Sequence, residues 1–167
     1  MSRRFALVVI VAAALLSVEA GQARASTTYT DTAKGNEVAY TSTQGTFTGY
    51  ATGDLPGSWA AVINHTVLSP DATITGGSLI LATVVHWIPR TVEGTFAAGG
   101  TVTRVYREPG CGIQKYAVSD RLVNVGVGGG GSGGGDVSAT LTHYRHSVFG
   151  HCVAYAATIT GTVRLTF

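Results

Sequence analysis

Apolar and polar positions alternate through the last part of the chain. From Val137 onward, one row reads Val137, Ala139, Leu141, His143 and Arg145, and the other Ser138, Thr140, Thr142, Tyr144 and His146. Successive side chains of a strand point to opposite faces, so the first row predicts a buried face that takes an imidazole and a guanidinium inward with it. The same rule applied to Ser58–Leu68 selects Trp59, Ala61, Ile63, His65 and Val67 as the inner row. In Ile113–Val125 it selects Tyr116, Val118, Asp120 and Leu122, and in the final run Val153, Tyr155, Ala157 and Ile159. Five polar residues thus fall on inward rows: His65, Asp120, His143, Arg145 and Tyr155. A one-residue bulge would reverse the parity of any of these rows.

No helical periodicity follows the first 25 residues. Short runs rich in Thr, Val, Ile and Tyr are separated by turn residues instead, the signature of strands. The pattern predicts strands over 27–32, 37–43, 46–51, 58–68, 78–88, 92–97, 101–107, 113–125, 137–148 and 152–167, with turns at Lys34-Gly35-Asn36, Asp54-Leu55-Pro56-Gly57, Ser69-Pro70-Asp71, Ala98-Gly99-Gly100 and Pro109-Gly110. Short links imply an antiparallel meander. This many strands strain a flat sheet, and closure removes its edges, so the expected fold is all-β, a small barrel of eight to ten strands, with a two-sheet sandwich as the alternative. The layout resembles the calycin and allene-oxide-cyclase-like small barrels; the resemblance is confined to that layout and carries no residues across.

Arg3 and Arg4, the apolar run Phe5 to Leu16 and the small-x-small triplet Ala23-Arg24-Ala25 compose a bacterial-looking export signal, so residues 1–25 are expected to be a signal peptide and 26–167 a single secreted, extracellular domain. The apolar run is shorter than the roughly 20 residues needed to span a bilayer, and stable membrane insertion is not expected. Without the signal the chain holds eight basic and eight acidic side chains, which leaves no basic footprint for nucleic acid. In an exported chain the two cysteines, Cys111 and Cys152, read as a disulfide.

Local motifs add little. The tract Gly126–Asp136 contains G-x-G-x-x-G and G-x-S-x-G by spacing, but it leads into a strand rather than a helix, and is expected to be a mobile glycine-rich hairpin loop. His143 and His146 lie on opposite faces and cannot chelate one ion together, and a site joining His65, His86 and His143 has no local ligand motif, so no metal and no cofactor are expected. Asp120 is the single carboxylate on an inner row, which leaves the acid pair of a glycosidase incomplete. Asn64-His65-Thr66 matches a glycosylation sequon in mid-strand.

A buried Arg or Asp without a partner costs several kcal/mol, so the inward polar set requires pairing or a ligand. The first reading is a secreted barrel that binds a small, mostly apolar molecule, with His65, Asp120, His143, Arg145 and Tyr155 around its polar group. A second is a barrel enzyme, an isomerase, cyclase or lyase, with His143 or Asp120 as base and Arg145 as electrostatic stabiliser. In the third, Asp120 pairs with Arg145 in a filled core and the protein is a structural module.

Overall fold

The computed structural model describes residues 26–85, 87–129 and 131–167. The expected signal peptide at 1–25, His86 and Gly130 lie outside the described residues. Among the described residues nine strands follow one another: β1 (Thr28–Tyr40), β2 (Gln44–Gly53), β3 (Gly57–His65), β4 (Ala72–Val85), β5 (Ile88–Phe96), β6 (Thr101–Arg107), β7 (Gln114–Val127), β8 (Gly133–Val148) and β9 (His151–Thr166). All pairings are antiparallel, and β9 returns to β1 in register from Thr28↔Thr166 to Asn36↔Thr158, which closes the sheet into a barrel.

Eight strands form the ring. The ninth, β6, continues the line of β5, since both run along β7 and both touch β4. At their junction Gly99 N–H donates to Ile74 O, Ile74 N–H to Gly100 O and Ala97 N–H to Arg121 O, so the break loses few ladder bonds. A closed ring has no free edge for another chain to extend. The barrel is therefore the outcome rather than the two-sheet sandwich.

Inner rows hold the core: Phe47 and Ala51 on β2, Trp59, Ala61 and Ile63 on β3, Leu79 and Leu81 on β4, and Leu141, Ile159 and Leu165 on β8 and β9 are all buried. On β1 the outward positions are Thr30, Thr32, Lys34 and Asn36. On β1 this alternation is the reverse of that in a lipid-facing barrel, while β4 to β7 also expose Ile80, Val84, Ile88, Val105 and Val127. Among the described residues no helix is long and apolar enough to cross a membrane.

Two expectations about glycine need correction. Lys34-Gly35-Asn36 is not a turn; the two predicted strands around it are one, β1, with a bulge between Glu37 and Ala39. A Cβ on Gly35 would stand 2.6 Å from the Trp59 ring, so glycine here makes room inside the barrel for the indole. Likewise Gly133, Gly134 and Gly135 are not loop but the start of β8, paired to β9 and β7. A Cβ on Gly135 would meet Arg164 O at 2.3 Å, so close backbone approach explains a composition that reads as flexible.

Because the chain is a meander, alternate links gather at each end. The links after β2, β4 and β7 lie at one end, and those after β1, β3, β6 and β8 at the other. Leu55 plugs the first end, fully buried, with its N–H donated to Asp31 Oδ1 at 2.8 Å. Cys111, in the β6–β7 link, is disulfide-bonded to Cys152 at the start of β9 at the second end.

Candidate functional site

Tyr40, Thr41, Ser42, Val67 and Leu68 surround the mouth of a cavity of about 240 Å³ at the disulfide end. Its walls are Phe47, Ile63, Val102, Val118, Leu141 and Ile159, and its polar groups are Glu37, His65 and His143. Further down lies a chamber of about 50 Å³ with apolar walls that include Trp59, Ala61 and Leu81. Interiors of eight-stranded barrels are just wide enough for side chains to fill or to hold one small ligand. Here Ala33, Ala51, Ala61, Ala139 and Gly161 on inner rows leave space unfilled.

His143 reaches this cavity by the parity of β8, opposite Gln114 on β7 and Ala157 on β9. Its ring meets Tyr116 edge-on at 5.3 Å. Nε2 has no hydrogen-bond partner among the described residues and lies 3.8 Å from Glu37 Oε2. That separation is too long for a hydrogen bond, and each side chain is mostly buried, with 16% and 10% exposed. Burial pushes the Glu37 carboxyl up from 4.5 to about 7. Burial, reinforced by the positive Arg145 and by His65, pulls His143 below its ordinary 6.5. Both groups thus tend toward their neutral forms, and they face one another as carboxyl and imidazole rather than as an ion pair.

His65 ends β3 past a bulge between Asn64 and His65. Its ring Nδ1 lies 2.7 Å from Thr66 O, which fixes the ring at the cavity wall. Arg145 stands beside the site without lining it. Its Nε donates to Gly112 O at 3.2 Å, so it braces the β6–β7 link, and Nη2 has no partner among the described residues.

Asp120 and Tyr155 lie elsewhere. Asp120 is buried, with 7% exposed, but it is opposite Val137, eight residues along β8 from Arg145, a span of roughly 26 Å at ~3.3 Å per residue. The Asp120 to Arg145 pair is therefore not formed. Asp120 instead accepts Arg121 N–H at 2.7 Å and sits against Gly100, where a Cβ would come within 2.4 Å of its carboxyl carbon. Burial raises its pKa, and Oδ2 has no partner among the described residues. Tyr155 is 63% exposed and tilts against His146 on the outside. The cause is a bulge: Tyr144 pairs with Ala156 and Arg145 with Ala154, so Tyr155 is the extra residue and Ala154 takes the inward place.

Glu37 is the residue that parity did not find. The row Asp31, Ala33, Gly35, Glu37 reaches it once β1 is read as continuous, and the apparent turn at Gly35 concealed that row. At the other end of the row Asp31 is buried, its pKa raised by burial, with Oδ1 capping Leu55.

Among the described residues no group of three or more His, Cys, Asp or Glu side chains could hold a metal ion. Fold and site together describe a closed antiparallel barrel with an internal cavity that carries a carboxyl and two imidazoles. No family model, curated protein or solved structure matches the chain.

Proposed function

We propose that the protein is a secreted barrel that binds one small, mostly apolar molecule in the cavity at its disulfide end, with the molecule's polar group against Glu37 and His143 and near His65. The observation that carries this reading is the 240 Å³ cavity itself, in which a buried imidazole nitrogen lacks a partner beside a carboxyl. Its volume falls just below the range of about 300–1,000 Å³ usual for ligand pockets, which points to a small occupant. Glu37 and His143 in their neutral forms suit a neutral hydrogen-bonding group, a hydroxyl or a carbonyl, better than a carboxylate. Arg145 does not line this cavity, and its Nε is turned to Gly112 O. The disulfide fits an oxidising compartment.

The enzyme reading retains one specific support. A carboxyl near 7 next to a neutral imidazole is suited to proton exchange at neutral pH, with Glu37 rather than Asp120 as the base. The filled-core reading has no use for the cavity.

Native mass spectrometry of the protein from culture medium, followed by thermal shift against alcohols, ketones and fatty acids, tests the binding reading. A neutral ligand raises the melting temperature of the natural protein, and Ala154→Phe, which fills the cavity wall, abolishes the rise while the variant stays folded. Equal shifts in the two proteins, or none with any compound, would overturn it.

A further inference from the structure

Phe47, Ile63 and Ile159 line both the upper cavity and the lower chamber. They form a waist between two spaces of about 240 and 50 Å³, one with polar groups and one with apolar walls. The lower space has about a fifth of the volume of the upper one, room for the end of a chain rather than for a second head group. Resting on the binding reading above, we propose that the ligand is a straight-chain molecule with a single neutral polar head, held head-up at Glu37 and His143 and threaded past Phe47, Ile63 and Ile159 so that its tail ends beside Trp59.

The shape of the interior carries this. A compact or branched molecule of equal volume fills the upper cavity but leaves the lower chamber empty, because the waist is made of three bulky side chains. A chain buries its terminal methylenes against the apolar surface that Trp59, Ala61 and Leu81 turn to the chamber; the polar atoms of the lining, Trp59 Nε1 and Asp31 Oδ2 among them, are buried behind it. The head is set by the two groups that need one: a hydroxyl between Glu37 Oε2 and His143 Nε2, which are 3.8 Å apart, reaches both within hydrogen-bond distance.

The chain contains two tryptophans, Trp59 and Trp87, and Trp87 is 96% exposed at the opposite end, so Trp87→Phe leaves Trp59 as the sole tryptophan, excited selectively at the red edge of the absorption band. In that background, straight-chain primary alcohols from hexanol to dodecanol are titrated by calorimetry and by Trp59 fluorescence. Affinity rises about fourfold per added methylene until the lower chamber is full, then levels. Trp59 emission shifts only for chains long enough to pass the waist, and not for a cyclic alcohol of the same carbon number. Ala61→Leu, which narrows only the lower chamber, removes the gain for long chains and leaves short-chain affinity within about twofold.

Should that variant not fold, the length series and the Trp59 signal decide alone. Short alcohols that bind with no gain on extension and a silent Trp59 overturn the threading proposal and spare the binding reading. No binding at any length, to the natural protein as well, overturns both.

Discussion

Glu37 and His143 share one cavity, and burial drives their charges in opposite directions. For Glu37 the folded pKa, about 7, stands above the ordinary 4.5, so folding favours the protonated form. Below pH 4.5 there is no penalty; stability falls as pH rises from 4.5 to about 7 and stays low above, by roughly 3 kcal/mol at most at 1.36 kcal/mol per unit. For His143 the sign reverses: the folded pKa is depressed, so its contribution is full above 6.5 and is lost as pH falls. Glu37→Gln is expected to flatten the loss between pH 4.5 and 7 in urea titrations, and His143→Gln to remove its own loss on the acid side. Asp31 and Asp120, also raised by burial, act in the same direction as Glu37 and remain in both proteins, so the difference between curves isolates the substituted group. A Glu37→Gln curve that parallels the natural one would show that the carboxyl is not desolvated.

At the scale of elements, β8 and β9 continue past His143, which is level with the first residue of β7, and form a two-stranded arm that turns at Phe149 and Gly150, both at positive φ. Such a two-residue turn matches the twist of a hairpin. The Cys111–Cys152 bridge and the Arg145 Nε–Gly112 O bond tie this arm to the β6–β7 link beside the cavity mouth. Closing 41 residues of sequence separation stabilises the fold by about 4 kcal/mol in the chain-entropy account. Cys111→Ala with Cys152→Ala is expected to lower unfolding stability by about 2–4 kcal/mol and to speed amide exchange in residues 144–155 more than in the barrel wall. Uniform exchange changes would show that the bridge acts on the unfolded chain alone. The inward face of His143 was legible from β8 by itself, because no bulge interrupts that row before it. Tyr155 was not, since a bulge exists only where two strands are aligned, and neither strand's own pattern records it.

For the whole molecule, one end is closed and the other holds the cavity. Leu55 is buried in the closed end with Asp31 capping its N–H, and Thr83 Oγ1 donates to Pro56 O at 2.7 Å, so the β2–β3 link is folded inward as a plug. Leu55→Ala is expected to cost about 2–5 kcal/mol in chemical denaturation and to leave binding at the opposite end within a few-fold. A loss of binding greater than the loss of stability explains would place the ligand nearer the plug than proposed.

Alternation, turn residues and short links were enough to specify an antiparallel meander that closes, because side-chain parity and loop length are local properties of the chain. They also put His65 and His143 on inner rows and paired the cysteines. Which inward residues share a level is a property of register, and register is set between strands. It placed Asp120 roughly 26 Å from Arg145, brought Glu37 to His143, and left small side chains facing one another around the lower chamber. The inward rows of β3, β7 and β8 came from the sequence; the site came from how far each row had slid against its neighbour when the barrel closed.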